Sequence, residues 1–339
     1  MNRFFLRGLA FFLSLLLLVS AALPLLSCRP KKQEGRFLLV TTVFAVYDWT
    51  REILGERGAK ADLVLLTDSG TDMHSLQPTV DDLICLHSAD LVVLVGGESE
   101  KWVAEALLDA PDTGLCVNLL AVLGDNVYEE EHKEGMQGGH DHGRDPGHEE
   151  AGHEGHDHEE KETDEHVWLS LKRAKLACRA IADALITLDP DGEAIYRGNC
   201  ARYEEKLAAL DSRYRETVGA AKRKTLIFGD RFPFRYLTED YSLDYYAAFP
   251  GCSAETDASF GTVIGLARRA DEVGAPVILT LEGSDGRIAR QIAACTVSGE
   301  RKILPFDSMQ SVTAEKIRGG MTYLSVMERN LSVLDEALR

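Results

Sequence analysis

The chain has 339 residues, which is long enough for two lobes that each bury a core of their own. It carries 55 acidic residues against 37 basic ones, a formal net charge of −18, and no basic stripe follows the N-terminus, so we expect no nucleic-acid binding. One segment, 129–166, holds fifteen acidic and three basic residues, which is −12 of that charge and would attract cations.

The N-terminus has the pattern of an export signal over residues 1–28. Arg3 and Arg7 precede an almost wholly apolar run over 9–26, and Cys28 follows shortly after it. The end of this run resembles a bacterial lipobox, in which the bond before the cysteine is cut and Cys28 is lipidated. A plain transmembrane anchor is the alternative, and both place the mature domain outside the cytoplasm. Residues 29–35 then form a short flexible tether.

Six cysteines follow Cys28, and an exported chain can form disulfides. Cys252 and Cys295 lie in the same half of the chain, so a bridge between them is a candidate. Cys85 and Cys178 lie in apolar helical patterns that are equally typical of small buried residues.

Residues 37–119 alternate short apolar runs with amphipathic ones, which predicts a largely parallel sheet covered by helices on both faces. The predicted strands span 37–43, 61–66, 89–95 and 116–119, and the predicted helices span 47–54, 79–87 and 98–108. Residues 67–78 are rich in turn formers, so His74 falls in a loop at the carboxyl end of the second strand.

The segment 129–165 holds seven of the ten histidines and almost no large apolar residue. Such a composition cannot bury a core, so we predict a mobile, solvated loop. Imidazole and carboxylate together suit divalent metals such as zinc, which predicts an accessory metal-collecting loop. An acidic linker with incidental histidines is the alternative. The histidines of this loop are His132, His140, His142, His148, His153, His156 and His158.

Two helices are predicted after the loop, over 167–188 and 194–221. The second, with nearly thirty residues, would be about 40 Å long and suits a rigid strut between two lobes. The alternation then resumes, with strands at 225–228, 245–248, 277–281 and 303–306 and helices at 234–240, 260–273, 287–296 and 319–338. We therefore predict an N-terminal α/β lobe over 36–193, a linking helix over 194–221 and a C-terminal α/β lobe over 222–339.

Three residues outside the loop carry ligand chemistry. His74 and Glu282 follow predicted strands, and in open α/β sheets ligands bind beyond the carboxyl ends of strands. His166 stands where the acidic loop gives way to helix. A single loop histidine is more often not a ligand, but the metal-collecting loop in the same chain favours a ligand role for both.

The chain contains, in order, SGTDMHSLQPTVDDL, ADLVVLVGGESEKWV, a His/acid-rich insertion, DEHVWLSLKRAKL and a closing YLSVMERNLSVLDEAL. This order resembles the metal-binding solute-binding lipoproteins of zinc and manganese ABC importers over nearly all of the mature chain, and the insertion resembles the zinc-specific branch. The resemblance implies two α/β lobes joined by a long rigid helix and one metal bound in the cleft between them. It also implies delivery to a permease with its ATPase, no catalysis, and a monomer anchored to a bacterial membrane by lipid.

By this resemblance, His74 is the first metal ligand and His166 the second. The third ligand of the family is a histidine after the first strand of the second lobe, but here that stretch reads TLIFGDRFPFRYL, and no histidine follows His166. Asp230 stands at this place and could supply an oxygen or simply cap a turn. Glu282 corresponds to the final acidic ligand.

Further candidates for the missing ligand are Cys252, Glu255, Asp307 and a loop histidine that folds back into the cleft. For Cys252, a disulfide or a buried thiol is the favoured interpretation. Two imidazoles with one or two carboxylates suit tetrahedral zinc, although manganese and iron accept the same set with more oxygens. Zn²⁺ is therefore the predicted ion and Mn²⁺ the alternative, with binding that weakens below about pH 6 as imidazole protonates.

Two rival classes of function remain. A surface adhesin or a metal-storage lipoprotein would show the same sequence features. A secreted zinc hydrolase would need an open coordination position and a general base, and the chain has no His-Glu-x-x-His helix and no nucleophile elbow.

Overall fold

The computed structural model describes residues 35–108, 114–137, 162–253 and 257–339. Two four-stranded parallel sheets lie within these ranges, one in each half of the chain. The first sheet consists of β1 (Phe37–Thr41), β2 (Ala61–Leu65), β3 (Leu91–Leu94) and β4 (Leu115–Asn118). The second consists of β5 (Thr225–Phe232), β6 (Asp244–Pro250), β7 (Val277–Leu281) and β8 (Lys302–Phe306).

The two sheets share one topology. The strand orders are β2-β1-β3-β4 and β6-β5-β7-β8, so the chain places a second strand beside the first and then crosses to the other side. Every residue of β3 and β7 is buried, as expected of strands covered by helices on both faces. The predicted fold class, with two parallel-sheet lobes flanked by helices, is confirmed.

Helices cover both sheets. In the first half they are α1 (Phe44–Leu54), α2 (Val80–His87), α3 (Lys101–Leu108) and α4 (Leu119–Leu123), followed by α5 (Leu171–Leu188) and α6 (Glu193–Ala220). In the second half they are α7 (Arg235–Tyr241), α8 (Phe260–Glu272), α9 (Arg287–Cys295), α10 (Ala314–Arg318) and α11 (Tyr323–Leu338).

The long helix α6 joins the two lobes. Its 28 residues extend about 42 Å at 1.5 Å per residue. It packs against α1 and α5 on one side and against α11 on the other. Tyr214 is fully buried in this contact and donates a hydrogen bond to the carbonyl oxygen of Met327 (2.7 Å). Because helices from both halves are packed against α6, the cleft between the lobes has a rigid back.

Several element bounds differ from the predicted ones for identifiable reasons. Strand β5 continues to Phe232, because a register shift after Phe228 lets its last residues pair with β6. The helix predicted from residue 167 starts with a 3₁₀ turn, Val167–Leu169, and α5 begins only after Ser170, whose hydroxyl caps it. The last helix begins after Thr322, which forms a capping box with Ser325. The short helices α4 and α10 were not predicted.

The candidate Cys252–Cys295 bridge does not form, because both cysteines are free thiols. Cys85 and Cys178 are buried, as their helical patterns predicted. The signal segment, Cys28 and residues 29–34 lie outside the described residues. None of the helices in the described ranges combines the length and the apolar character that a membrane crossing requires.

The described ends of the acidic segment make defined contacts. Glu129 forms a β-bridge with Thr163, and the Glu130 N–H donates to the Glu162 carbonyl oxygen (2.7 Å). Residues 130–137 then cross to the second lobe, where the Gln137 N–H donates to the carbonyl oxygen of Ala248 in β6 (2.9 Å). The predicted mobile loop over 129–165 therefore does not include these ends. Residues 138–161, with six of its seven histidines, lie outside the described residues.

Candidate metal centre

His74 is held in a tight turn after β2. The 3₁₀ turn Met73–Ser75 is capped by Asp72, whose Oδ1 accepts the His74 backbone N–H (3.0 Å). Met73 is buried and anchors the turn to the first lobe. The ring Nδ1 of His74 lies 2.6 Å from the Ser99 hydroxyl. When Nδ1–H donates to this oxygen, the lone pair of Nε2 is left facing the cleft.

His166 is fully buried at the point where the acidic segment ends. Asp164 Oδ1 accepts both the backbone N–H (2.9 Å) and the ring Nδ1–H (2.8 Å) of His166. The ring also packs edge-on against Trp168, whose Nε1–H donates to the Ser308 carbonyl oxygen (2.8 Å) in the second lobe. A carboxylate on Nδ1 fixes the tautomer that leaves Nε2 free to bind a metal.

The two histidines, both from the first half of the chain, converge on one point. The Nε2 atoms of His74 and His166 lie 3.1 Å apart. A tetrahedral zinc ion at about 2.0–2.1 Å from each nitrogen would separate them by about 3.3 Å. The pair is therefore close to the spacing at which both nitrogens can bind one ion.

Cys252 completes a group of three. The ligand atoms of His74, His166 and Cys252 all lie within 4.8 Å of one another, and no other such group of three exists among the described residues. A tetrahedral zinc site would place the sulfur about 3.6 Å from each nitrogen, so a small contraction would close the group around one ion. Since Cys252 is free, its sulfur is available for this role.

The surroundings of the three side chains shift their pKa values in different directions. Burial, together with the neighbouring His166, lowers the pKa of His74 to about 3. Burial alone would also lower the pKa of His166, but the charges of Asp164 and Glu165 outweigh it, so the pKa is raised. Burial and the adjacent Glu130 raise the pKa of the Cys252 thiol. His74 is thus neutral at neutral pH and ready to bind a cation, whereas the raised pKa values of His166 and Cys252 mean that protons on these two groups compete with the cation.

Asp230 makes backbone contacts in the described structure. Its Oδ1 accepts the N–H of Arg231 (2.9 Å) and its Oδ2 accepts the N–H of Leu281 (3.3 Å). It does not belong to the group of three, so metal ligation by Asp230 stays a prediction.

Glu282 also lies outside the group of three. It accepts hydrogen bonds from the Ser308 N–H (2.7 Å) and the Gln310 N–H (3.0 Å). Burial and the nearby Asp307 raise the pKa of Glu282 to about 7. Ligation by Glu282 and by Asp307 also stays a prediction. Glu255 lies outside the described residues, and His132 is exposed and outside the group.

Sequence reasoning did not single out two residues of the site. The side-chain amide of Gln310 places its Nε2 2.9 Å from Nε2 of His166. Arg231, at the end of β5, forms an ion pair with Asp72 across the cleft. A glutamine after β8 carries no signal in sequence. Arg231 stands in the stretch where a third histidine was sought, next to the Asp230 that was named instead.

An acidic cavity opens beside the group. Its volume is about 810 Å³, and His74 and Cys252 line it together with Glu98, Glu162 and Glu165. Glu165 is almost fully buried, and its Oε2 has no hydrogen-bond partner among the described residues. The acidic segment ends at this cavity, where Glu162 and Glu165 place negative charge beside the histidines.

Comparison with known proteins agrees with this architecture. Residues 39–337 match the family described as ZnuA, zinc-uptake complex component A periplasmic. The chain is 33% identical over 327 residues to the zinc-binding lipoprotein AdcA of Streptococcus pneumoniae serotype 4, a match that covers 96% of this chain and 60% of AdcA. It is 29% identical over 303 residues to the high-affinity zinc uptake system protein ZnuA of Bacillus subtilis, with 88% of this chain and 87% of that protein covered.

A solved structure has the same fold. The Zn(II)-bound ZnuA-like domain of Streptococcus pneumoniae AdcA superposes with a TM-score of 0.68 and 26% identity, covering 90% of this chain and 99% of that domain. The chain thus spans about 60% of the length of the AdcA proteins that it matches. With a family match that spans nearly the whole chain, this protein belongs to the ZnuA family of periplasmic zinc-uptake components.

Proposed function

We propose that this chain captures Zn²⁺ outside the cytoplasm at His74, His166 and Cys252 and delivers it to the permease of an ABC importer. The observation that carries the proposal is the 3.1 Å approach of the two Nε2 atoms, each on a ring whose Nδ1 is engaged elsewhere. The names of the related proteins AdcA and ZnuA, which describe zinc binding and zinc uptake, support the choice of ion.

The position of the site supports capture and release rather than catalysis. One histidine follows a strand of the first sheet and Cys252 follows a strand of the second, so the group joins the two lobes. Three side chains drawn from two lobes can bind one ion, and a movement of one lobe relative to the other would pull these ligands apart. The match to a family of zinc-uptake components likewise supports capture rather than catalysis.

The same proposal includes the membrane partners of the chain. Lipidation of Cys28 would hold the chain, as a monomer, on a bacterial membrane, in a periplasm or at the cell surface, where it would meet the permease and its ATPase. The loop histidines from His132 to His158 would act as a weak collector that raises zinc concentration near the acidic cavity. A manganese-binding or iron-binding protein of the same fold is the alternative that the ligand set leaves open.

The test is metal affinity in single variants of the purified chain. His74→Ala and His166→Ala should each lower zinc affinity by more than the roughly 10- to 100-fold that loss of an outer contact costs. The matched control is His87→Ala, because His87 bonds only the Ala106 carbonyl oxygen in a surface helix. Near-native affinity in either site variant would overturn the assignment of the site.

Uptake tests the second half of the proposal. Cells that lack this chain should grow poorly when zinc is chelated, and the wild-type chain but not His166→Ala should restore growth. Normal zinc uptake without the chain would instead favour the adhesin or storage alternative.

A further inference from the structure

The loop that carries Cys252 is shaped to approach His166. Gly251 precedes the cysteine, and a Cβ atom at this position would lie 3.1 Å from Cε1 of His166. A larger residue would therefore push the loop away from the ring. From the other side, the Cys252 N–H donates to Glu130 Oε1 (2.8 Å), in the segment that crosses from the first lobe. Contacts on two sides thus fix the backbone beneath the sulfur.

The other cysteines have no such setting. Cys85, Cys178 and Cys200 are buried in helical packing, whereas Cys116 and Cys295 are exposed. None of these five belongs to a group of ligand side chains in the described ranges. A thiol next to two converging imidazole nitrogens is therefore a specific feature of position 252.

His166 has one further neighbour on its Nε2 side, and this neighbour is uncharged. Gln310 is buried and its amide touches Nε2 of His166. The single proton of the Ser308 hydroxyl is within reach of both Glu282 and the Gln310 Oε1 (2.9 Å). If the amide turns over, its NH₂ can donate to the Ser308 oxygen while its carbonyl oxygen faces the metal. Gln310 can then contact a bound ion without adding charge.

We propose that Cys252 binds the metal as a thiolate, an inference that rests on the proposed function. This thiolate makes the site favour the thiophilic ions zinc and cadmium over manganese. Soft sulfur ligands favour zinc, whereas manganese prefers carboxylate, carbonyl and water oxygens. The group of three contains no carboxylate, and Glu165, which lines the same cavity, lies outside it. Coordination forms one metal–sulfur bond and releases the thiol proton to solvent.

The experiment uses cobalt as a spectroscopic substitute for zinc in the purified full chain. A bound thiolate gives Co²⁺ an intense near-ultraviolet charge-transfer band that nitrogen and oxygen ligands do not give. The band should appear in the wild type and in Cys295→Ser, whose cysteine is exposed and distant in sequence, and should be absent in Cys252→Ser. The zinc-to-manganese affinity ratio should fall by about tenfold or more in Cys252→Ser, as for other lost contacts at metal sites.

Each outcome decides one question. Cobalt bound without the band in the wild type, or a band that persists in Cys252→Ser, overturns thiolate ligation and leaves zinc capture intact. Failure of the wild type to bind zinc or cobalt overturns the proposed function instead. Cys252→His, which keeps a ligand at the position, is the second variant: it should retain tight zinc binding, lose the band and bind manganese relatively better. An unchanged zinc-to-manganese ratio in this variant contradicts the selectivity proposal.

Discussion

The pH dependence of zinc binding provides a sharp test, because it counts the protons that the metal displaces. Burial raises the pKa of Cys252, so this thiol stays protonated at neutral pH and must release one proton per zinc ion. Asp164 and Glu165 raise the pKa of His166 above its ordinary value of 6.5. His74, with a pKa of about 3, is already neutral. Competing protons therefore reside on His166 and Cys252.

The magnitudes follow from proton linkage. Above the pKa of His166, only the thiol proton is released, so zinc affinity should fall about tenfold, or about 1.4 kcal/mol, for each unit that the pH drops. Below that pKa a second proton must leave, and the fall should steepen to about a hundredfold per unit. Because the His166 pKa is raised, the change in slope should come at a higher pH than for a free histidine. The weakening should thus begin above the pH of about 6 that free imidazole would suggest.

The assay is competition with a chromophoric zinc chelator between pH 5.5 and 8.5, with calorimetry in two buffers of different ionisation enthalpy to count released protons. The control is Cys252→Ser. This variant lacks the thiol, so zinc binding should release one proton fewer than in the wild type, both above and below the His166 pKa. Its affinity should be nearly independent of pH above the His166 pKa and should fall about tenfold per unit below it. A wild-type affinity that does not change between pH 6 and 8 would refute the reasoning.

Three further predictions follow from individual contacts. Asp164→Asn should lower zinc affinity by about 10- to 100-fold, because the carboxylate on His166 Nδ1 fixes the binding tautomer. Arg231→Ala should lower the free energy of unfolding in urea by about 1–3 kcal/mol, because it leaves Asp72 without its partner across the cleft; the value is less than for a fully buried pair because the two side chains keep 19% and 16% exposure. Deletion of residues 138–161 should keep one tight zinc site in calorimetry and remove several weak ones.

Matched variants control these measurements. Asp183→Asn changes an exposed carboxylate and should leave zinc affinity unchanged. Arg197→Ala removes an exposed ion pair with Glu193 and should cost less than about 1 kcal/mol. If Arg197→Ala lowered the free energy of unfolding as much as Arg231→Ala, the Arg231–Asp72 ion pair would stabilise the fold no more than an exposed ion pair does. If the loop deletion abolished the tight site, one of the deleted histidines would be a primary ligand.

The deletion boundary comes from the structure. Glu130 accepts the Cys252 N–H, and Tyr245 donates a hydrogen bond to Glu131 (2.9 Å) on the second lobe. Lys133 forms an ion pair with Asp244 of β6. Removing residues from 129 onward would cut these ties as well as the histidines, so loss of binding would have two explanations. Starting at residue 138 keeps the crossing segment and tests the collecting role alone.

The sequence predicted the elements whose patterns are local. Apolar runs identified all eight strands found in the described ranges, and the strand Val277–Leu281 has the predicted bounds. The long helix differs from its predicted bounds by one residue at each end. These predictions succeeded because strand and helix periodicity is contained within short windows of sequence. The helices α4 and α10, of five residues each, are too short to show a period.

The residues of the site are far apart in sequence, so local sequence patterns could not predict which of them lie together. His74 and His166 stood out in sequence because both are histidines in turns. For Cys252 the sequence favoured a disulfide or a buried thiol, because nothing near it in sequence points to a metal. Its ligand atom lies within 4.8 Å of both histidine nitrogens only after β6 is paired in the second sheet and Gly251 lets its loop approach His166.

The sequence alone thus determined the fold class, the two histidines and the acidic, His-rich segment beside them. These features follow from composition, periodicity and residue type, which are properties of the unfolded chain as well. Tertiary structure decided which residue joins the histidines, that Asp72 and Arg231 pair across the cleft, and that Gln310 rather than a carboxylate contacts His166. Those contacts join residues 86 to 178 positions apart in the chain, and only the packing of two lobes against one long helix brings them together.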